Sequence, residues 1–223
     1  MKTLKILGIP LLLSIFIVFA SATNISKEAE RVDKATNVIR DFSRMKESIP
    51  HELIEKYSGI VIIPDMINAS FGIGGKRGKG IAMVKLDNGK WSDPVFVTIT
   101  GGSIGFQAGV QSVDLVLVFR HRGVLTKVKN GDFTIGGDIS AAAGPVGRST
   151  SANTDYALKA EVYSYSRSRG LFAGISINGA NLSIDKSADA NFYGAGFTSQ
   201  DIFMTGKSTT EGVKTLKTTL ASL

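Results

Sequence analysis

The chain has 223 residues, 43% hydrophobic and 20% charged, with 26 Lys and Arg against 19 Asp and Glu and no cysteine. The missing cysteine excludes disulfides, thiolate metal sites, a cysteine nucleophile and the lipid-modified cysteine of a bacterial lipoprotein. The formal charge of +7 suits anionic partners, but weakly.

Lys2 and Lys5 precede an apolar run of 15 residues, Ile6 to Ala20, and Ala20-Ser21-Ala22 then offers a small-x-small cleavage site. This is the pattern of a secretory signal peptide, and the run falls short of the about 20 residues that a spanning helix needs. Cleavage after Ala22 is favoured over a retained anchor. Residues 23–223 are expected to form one domain outside the cytoplasm, periplasmic or secreted. Those 201 residues carry a charge of +5 once Lys2 and Lys5 are gone. A chain of this length buries about 70% of its unfolded surface without cross-links.

From Ile25 the apolar positions Ala29, Val32, Ala35, Ile39 and Phe42 recur at three- and four-residue steps, which predicts an amphipathic helix from about Ser26 to Glu47. Pro50 to Tyr57 reads as a second short helix ended by Gly59. The period then changes. Ile60 to Ile63, Ile81 to Leu86, Val95 to Thr100, Val113 to Phe119, Ala157 to Arg167, Leu171 to Ile177 and Leu182 to Ile184 are β-rich runs broken by Gly, Asn and Asp. Asp87-Asn88-Gly89-Lys90 and Asn178-Gly179 are hairpin signals, because Asn and Gly accept the positive φ of tight primed turns. His121 to Lys129 fits a short helix or a turn, the helix being preferred, and Val213, Leu216 and Leu220 mark a last helix from near Thr209. The fold class expected is α+β: a mostly antiparallel sheet, sandwich or partly closed barrel, with an N-terminal amphipathic helix and a short C-terminal helix packed against it.

Motifs for chemistry are weak. The glycine run from Gly72 to Gly80 lacks the spacing of a dinucleotide or phosphate loop and leads into a strand, where those motifs open a helix. Gly101-Gly102-Ser103-Ile104-Gly105 matches a nucleophile elbow in letters, but Gly105 and Gly109 spoil the helix that must follow. Ser43-Arg44-Met45-Lys46 has no partner motif. His51 and His121 fit no metal spacing. No catalytic residue, metal or cofactor is expected, and no nucleic-acid partner.

Ala142-Ala143-Gly144-Pro145-Val146-Gly147-Arg148 is followed by Tyr163-Ser164-Tyr165-Ser166-Arg167-Ser168-Arg169-Gly170-Leu171-Phe172-Ala173-Gly174. With Gly59-Ile60-Val61-Ile62-Ile63-Pro64, Trp91-Ser92-Asp93-Pro94 and Gly136-Gly137-Asp138 in the same order, the stretch from about Ser26 to Leu220 closely resembles the SYLF lipid-binding domain family. The resemblance implies a non-enzymatic module. Eukaryotic relatives bind phosphoinositide membranes through a basic amphipathic N-terminal segment, and some bind or bundle actin. For an exported chain it implies association with an anionic phospholipid surface. The alternative is a structural envelope protein whose sheet edges bind another protein, with actin relevant only in a eukaryotic host; a serine hydrolase at Ser103 comes last.

The candidate headgroup contacts are Lys76, Arg77 and Lys79, read as a glycine-flanked loop; Lys27, Arg31 and Lys34 on the polar side of the first helix; and Arg120, Arg122, Arg167 and Arg169. A sheet-packed helix with solvated charges is the competing reading for the helix cations. Tyr163, Tyr165 and Arg167 share one face of a strand, so the tyrosines serve either the core or a headgroup.

Overall fold

A computed structural model describes residues 26–45, 49–126, 132–144, 160–168, 171–172 and 176–223, with backbone alone at 52, 71–72, 103–108 and 171–172. The expected signal segment, Arg169, Lys46 and the turn at 145–148 lie outside these residues.

Helix α1, Lys27–Arg44, forms where the periodicity predicts it. The Ser26 side chain accepts a hydrogen bond from the Ala29 amide at 3.1 Å, satisfying one of the free donors of the first turn. Val32, Ala35, Ile39 and Phe42 are fully buried on one stripe. Helix α2, His51–Lys56, follows.

The four β-rich runs between Ile60 and Phe119 are two strands, not four. β1 spans Gly59–Val84 and β2 Val95–Phe119, and they pair antiparallel from Gly59 opposite Phe119 to Ala82 opposite Val95. The predicted turn closes the ribbon: Leu86 donates its amide to the Lys90 carbonyl at 2.8 Å, and Gly89 sits at φ 76°. The glycines inside the ribbon mark close packing, not loops. A Cβ on Gly80 would overlap the Ile62 carbonyl, one on Gly78 the Ile63 side chain, and one on Gly74 the Ala69 carbonyl. β1 therefore doubles back, its first limb lying against its second, with the apex near residues 70–73. Asp65 sits at φ 49° where the register shifts between Ile63 and Met66; aspartate tolerates that region better than most residues.

The free edge of β2 takes two further strands. β7, Ala180–Ile184, pairs with Val97 to Thr100, and β5, Val162–Ser168, with Asp114 to Phe119. β3, Asp132–Ile135, continues from β7; β4, Ala141–Ala143, lies parallel to β5; β6, Leu171–Phe172, completes a seven-stranded sheet. Short helices α3, Gly123–Thr126, α4, Lys186–Tyr193, and α5, Ser199–Phe203, join α6, Glu211–Ala221, which packs beside α1. α4 and α5 have no counterpart in the sequence-based expectations.

Strand alternation sends Ile60, Ile62, Val116, Val118, Tyr163 and Tyr165 to a core beneath α1, α2 and α6. Val61, Ile63, Leu115, Leu117 and Phe119 point the other way, into a second core inside the curl with Phe133, Leu182 and Phe203. Both faces of these segments are covered, which is why they read as unbroken apolar runs. The Trp91-Ser92-Asp93-Pro94 segment is a tie to the C-terminal region. Ser92 Oγ accepts the Val84 amide at 3.0 Å, and the buried Asp93 carboxylate accepts from Ser208 N at 3.1 Å and Lys217 Nζ at 2.5 Å.

Candidate functional site

Lys76, Arg77 and Lys79 stand on β1 opposite Gly101, Thr100 and Thr98, so the loop reading is corrected to strand. The cause is the doubled ribbon, whose glycines let two limbs pack at backbone distance. Pleating then separates the three cations. Lys76 points inward, only 5% exposed, and its Nζ donates to the Ser176 carbonyl at 2.5 Å. Burial pushes its pKa below the ordinary lysine value, and it is a structural tie, not a headgroup contact. Arg77 and Lys79 point outward. Arg77 is exposed, and among the described residues no ion pair holds it. Lys79 Nζ lies 3.0 Å from Asp185 Oδ2.

The same Asp185 oxygen is 3.4 Å from Arg31 Nη1, and the Arg31 guanidinium stacks 5.2 Å above the Phe96 ring. Lys34, one turn along α1, reaches Glu30 at 3.3 Å and Asp65 at 3.4 Å. Lys27, Arg31, Lys34 and Lys79 thus line one shallow hollow of about 240 Å³ with Glu30, Pro64 and Asp65. Residues some fifty positions apart in the chain converge here because α1 lies along the doubled ribbon. Burial works against ionisation of Asp185, but hydrogen bonds from Lys79 and the Ala188 amide, with the charges of Lys79 and Arg31, hold its pKa below the usual carboxylate value. Hydrogen bonds to Glu30 and Asp65 raise that of Lys34. Four cations face three carboxylates, counting Asp185, so the hollow is mildly basic with its outward charges on Lys27, Lys34 and Lys79.

The remaining candidates do not join it as free charges. Arg167 lies between Asp114 at 2.6 Å and Asp41 at 2.7 Å, with its guanidinium 5.9 Å above the Phe42 ring, and so ties α1 to β5. Burial opposes its charge and those two carboxylates outweigh it, raising its pKa. Tyr163 and Tyr165 are buried beneath α1 and belong to the core. Arg120 is exposed at the end of β2, and Arg122 pairs with Asp87 at 2.7 Å beside the 85–91 turn, where a separate cleft of about 1170 Å³ opens.

Of the residues that the sequence offered for chemistry, both histidines have acidic partners. Ser103 lies in β2 opposite Gly74, in a strand and not at a strand-to-helix turn; its side chain is outside the described set. His121 pairs with Glu161 at 2.9 Å and His51 with Glu55 at 3.2 Å. Among the described residues no three His, Cys, Asp or Glu side chains gather as a metal site, and no helix is long and apolar enough to cross a membrane.

Two features escaped sequence reasoning. Asp185 caps α4, accepting from Ala188 N at 3.2 Å, and is also the carboxylate that gathers Arg31 and Lys79. Ile73 is 84% exposed at the ribbon apex; the alternation of Ile73, Gly75, Arg77 and Lys79 on one strand face was the available signal.

The family model Ysc84, described as "Las17-binding protein actin regulator", matches residues 100–223. The bovine (Bos taurus) SH3 domain-containing YSC84-like protein 1 is 35% identical over 178 residues, covering 77% of this chain and 51% of its own. This chain belongs to the SYLF (Ysc84) family. Protein YSC84 of Saccharomyces cerevisiae is 32% identical over 178 residues, 76% of this chain and 38% of its own. LAS seventeen-binding protein 3 of the same species is 32% identical over 157 residues, 69% and 34% respectively. The SYLF chain therefore spans about half or less of the length of the curated relatives it matches.

Proposed function

We propose that this chain is a non-enzymatic lipid-binding module that acts outside the cytoplasm after loss of residues 1–22, and that it touches anionic phospholipid headgroups with Lys27, Lys34, Arg77 and Lys79. The observation that carries this reading is the convergence of the α1 cations with Lys79 in one open hollow, beside the outward Arg77. Cations of this kind near an anionic surface contribute about 1 kcal/mol each, screened over about 8 Å at physiological salt. Co-sedimentation with anionic and neutral vesicles tests it: binding to anionic vesicles should be the tighter and should weaken with salt, and equal binding to both removes the headgroup role.

The second reading is a protein-binding module. It rests on the name of the yeast LAS seventeen-binding protein 3 and the family description of an actin regulator. Actin itself is relevant to this chain only in a eukaryotic host. Cross-linking in the native envelope, followed by mass spectrometry, distinguishes a protein partner from lipid.

A further inference from the structure

Among the described residues, the doubled ribbon carries exposed aliphatic side chains towards its tip. Ile73 is 84% exposed, Val110 67% and Ile67 45%, whereas the apolar residues of both limbs below, Ile63, Met66, Ile81 and Val113, are buried. Val110 lies opposite Ala69 and Ile67 opposite Ser112, so Ile67 and Val110 are diagonal neighbours on one face of the ribbon. Ile73 is at the apex itself, where the chain reverses so tightly that Gly74 has room for no side chain against Ala69. On the second limb the register from Gly72 to Ala82 is unbroken, so Ile73, Arg77 and Lys79 occupy one outward face.

That order, apolar at the tip and cationic behind it, matches the layering of a bilayer surface, where acyl chains lie beneath a belt of phosphates. A protein groove would instead call for a broad patch with a polar rim; among the described residues here, Ile67, Ile73 and Val110 project from a two-stranded tip. Depth is limited by the ribbon's own edges, because unpaired backbone groups do not enter hydrocarbon. Only the side chains go in.

We propose that the apex of the β1–β2 ribbon is a membrane-insertion element, in which Ile67, Ile73 and Val110 enter the boundary between headgroups and acyl chains while Arg77 and Lys79 meet the phosphates. This rests on the lipid reading above and adds the apolar contact and the orientation that it lacks.

The absence of native cysteine makes a site-specific test direct. In the full chain, Ile73→Cys carries a nitrobenzoxadiazole dye, and Asn88→Cys, on the exposed 87–90 turn, carries the same dye as the control. With phosphatidylcholine vesicles containing phosphatidylglycerol, the dye at 73 should shift to the blue and be quenched by spin-labelled acyl chains, and the dye at 88 should do neither. In parallel, the triple variant Ile67→Ser, Ile73→Ser, Val110→Ser should keep the wild-type melting temperature, because the replaced side chains are exposed, and lose at least about tenfold in vesicle affinity (1.4 kcal/mol). Three results overturn the insertion. Wild-type chain that sediments with vesicles while the dye at 73 stays in water leaves the lipid reading standing without it. Chain that binds neither anionic nor neutral vesicles removes both. A blue shift at 73 that grows with protein concentration and without vesicles makes the tip a self-association patch.

Discussion

Lys79 Nζ sits 3.0 Å from Asp185 Oδ2, joining the second limb of β1 to the residue that caps α4. Because Arg31 of α1 shares that oxygen, one carboxylate holds helix, ribbon and cap together. Asp185→Ala removes the cap, at about 1 kcal/mol, and leaves the largely buried Arg31 guanidinium, with the exposed Lys79, without a counter-charge, so a total loss of about 2–4 kcal/mol is expected. Asp185→Asn keeps the cap and should cost less. Denaturant melts of both variants check the order. The carboxylate's pKa is depressed in the fold, so its stabilisation is complete above the unfolded value of about 3.9 and is lost as pH falls through the lower folded value.

Asp189, one turn along α4, titrates with the opposite sign. Burial, and then the nearby Asp185 charge, push its pKa up to about 6, against the Phe96 amide hydrogen bond at 2.8 Å and the Arg31 charge. Among the described residues its Oδ2 is buried with no hydrogen-bond partner. Between about pH 4, where the unfolded group ionises, and pH 6, where the folded one does, the native state holds more protons. This group therefore lowers stability as pH rises through that window, and the full cost of about 3 kcal/mol applies above it. The melting temperature of Asp189→Asn should exceed that of wild type at pH 7.5, and the difference should shrink at pH 5. A difference independent of pH would mean that Asp189 ionises normally in the fold.

The sequence patterns that survived folding are those with a single physical meaning. A three- and four-residue apolar period has one efficient solution, and α1 and α6 stand where Val32 to Phe42 and Val213 to Leu220 placed them. Asn88-Gly89 likewise made a turn. Glycine has two meanings, turn or close approach, and the run from Gly72 to Gly80 uses the second; only the position of Ile62 and Ile63 across the doubled strand decides it. Which cations face solvent turns on that distinction. Read as a loop, Lys76 and Lys79 are equivalent, but strand parity buries one and exposes the other. α4 and α5 were illegible because eight and five residues give too few turns for a period to emerge.

The doubled ribbon makes a prediction that separates two chemically identical changes. Gly80→Ala drives a Cβ into the Ile62 carbonyl and within 2.8 Å of the Ile63 side chain, so strand separation at about 3 kcal/mol or more is expected. Gly102→Ala, with nothing within 4 Å, should be neutral or slightly stabilising through the unfolded chain. Equal melting temperatures for the two variants would contradict the folded-back geometry.

Charge reversal tests the outward cations one at a time. Lys76→Glu places a carboxylate beside the Ser176 carbonyl in a site only 5% exposed, so it should destabilise the fold by about 3 kcal/mol or more, and any loss of vesicle binding would follow from unfolding. Arg77→Glu changes an exposed side chain and should leave the stability within about 0.5 kcal/mol of wild type. Its effect on anionic vesicles is a change of two charges at about 1 kcal/mol each, up to about thirtyfold at low ionic strength and less at about 0.15 M salt. Lys79→Glu should fall between them, because it also sets a carboxylate against Asp185. Vesicle sedimentation with a parallel melt for each variant reads both quantities. Should Arg77→Glu bind anionic vesicles as wild type does, at low and at physiological salt, Arg77 faces away from the membrane and the outward face of β1 is not the docking face.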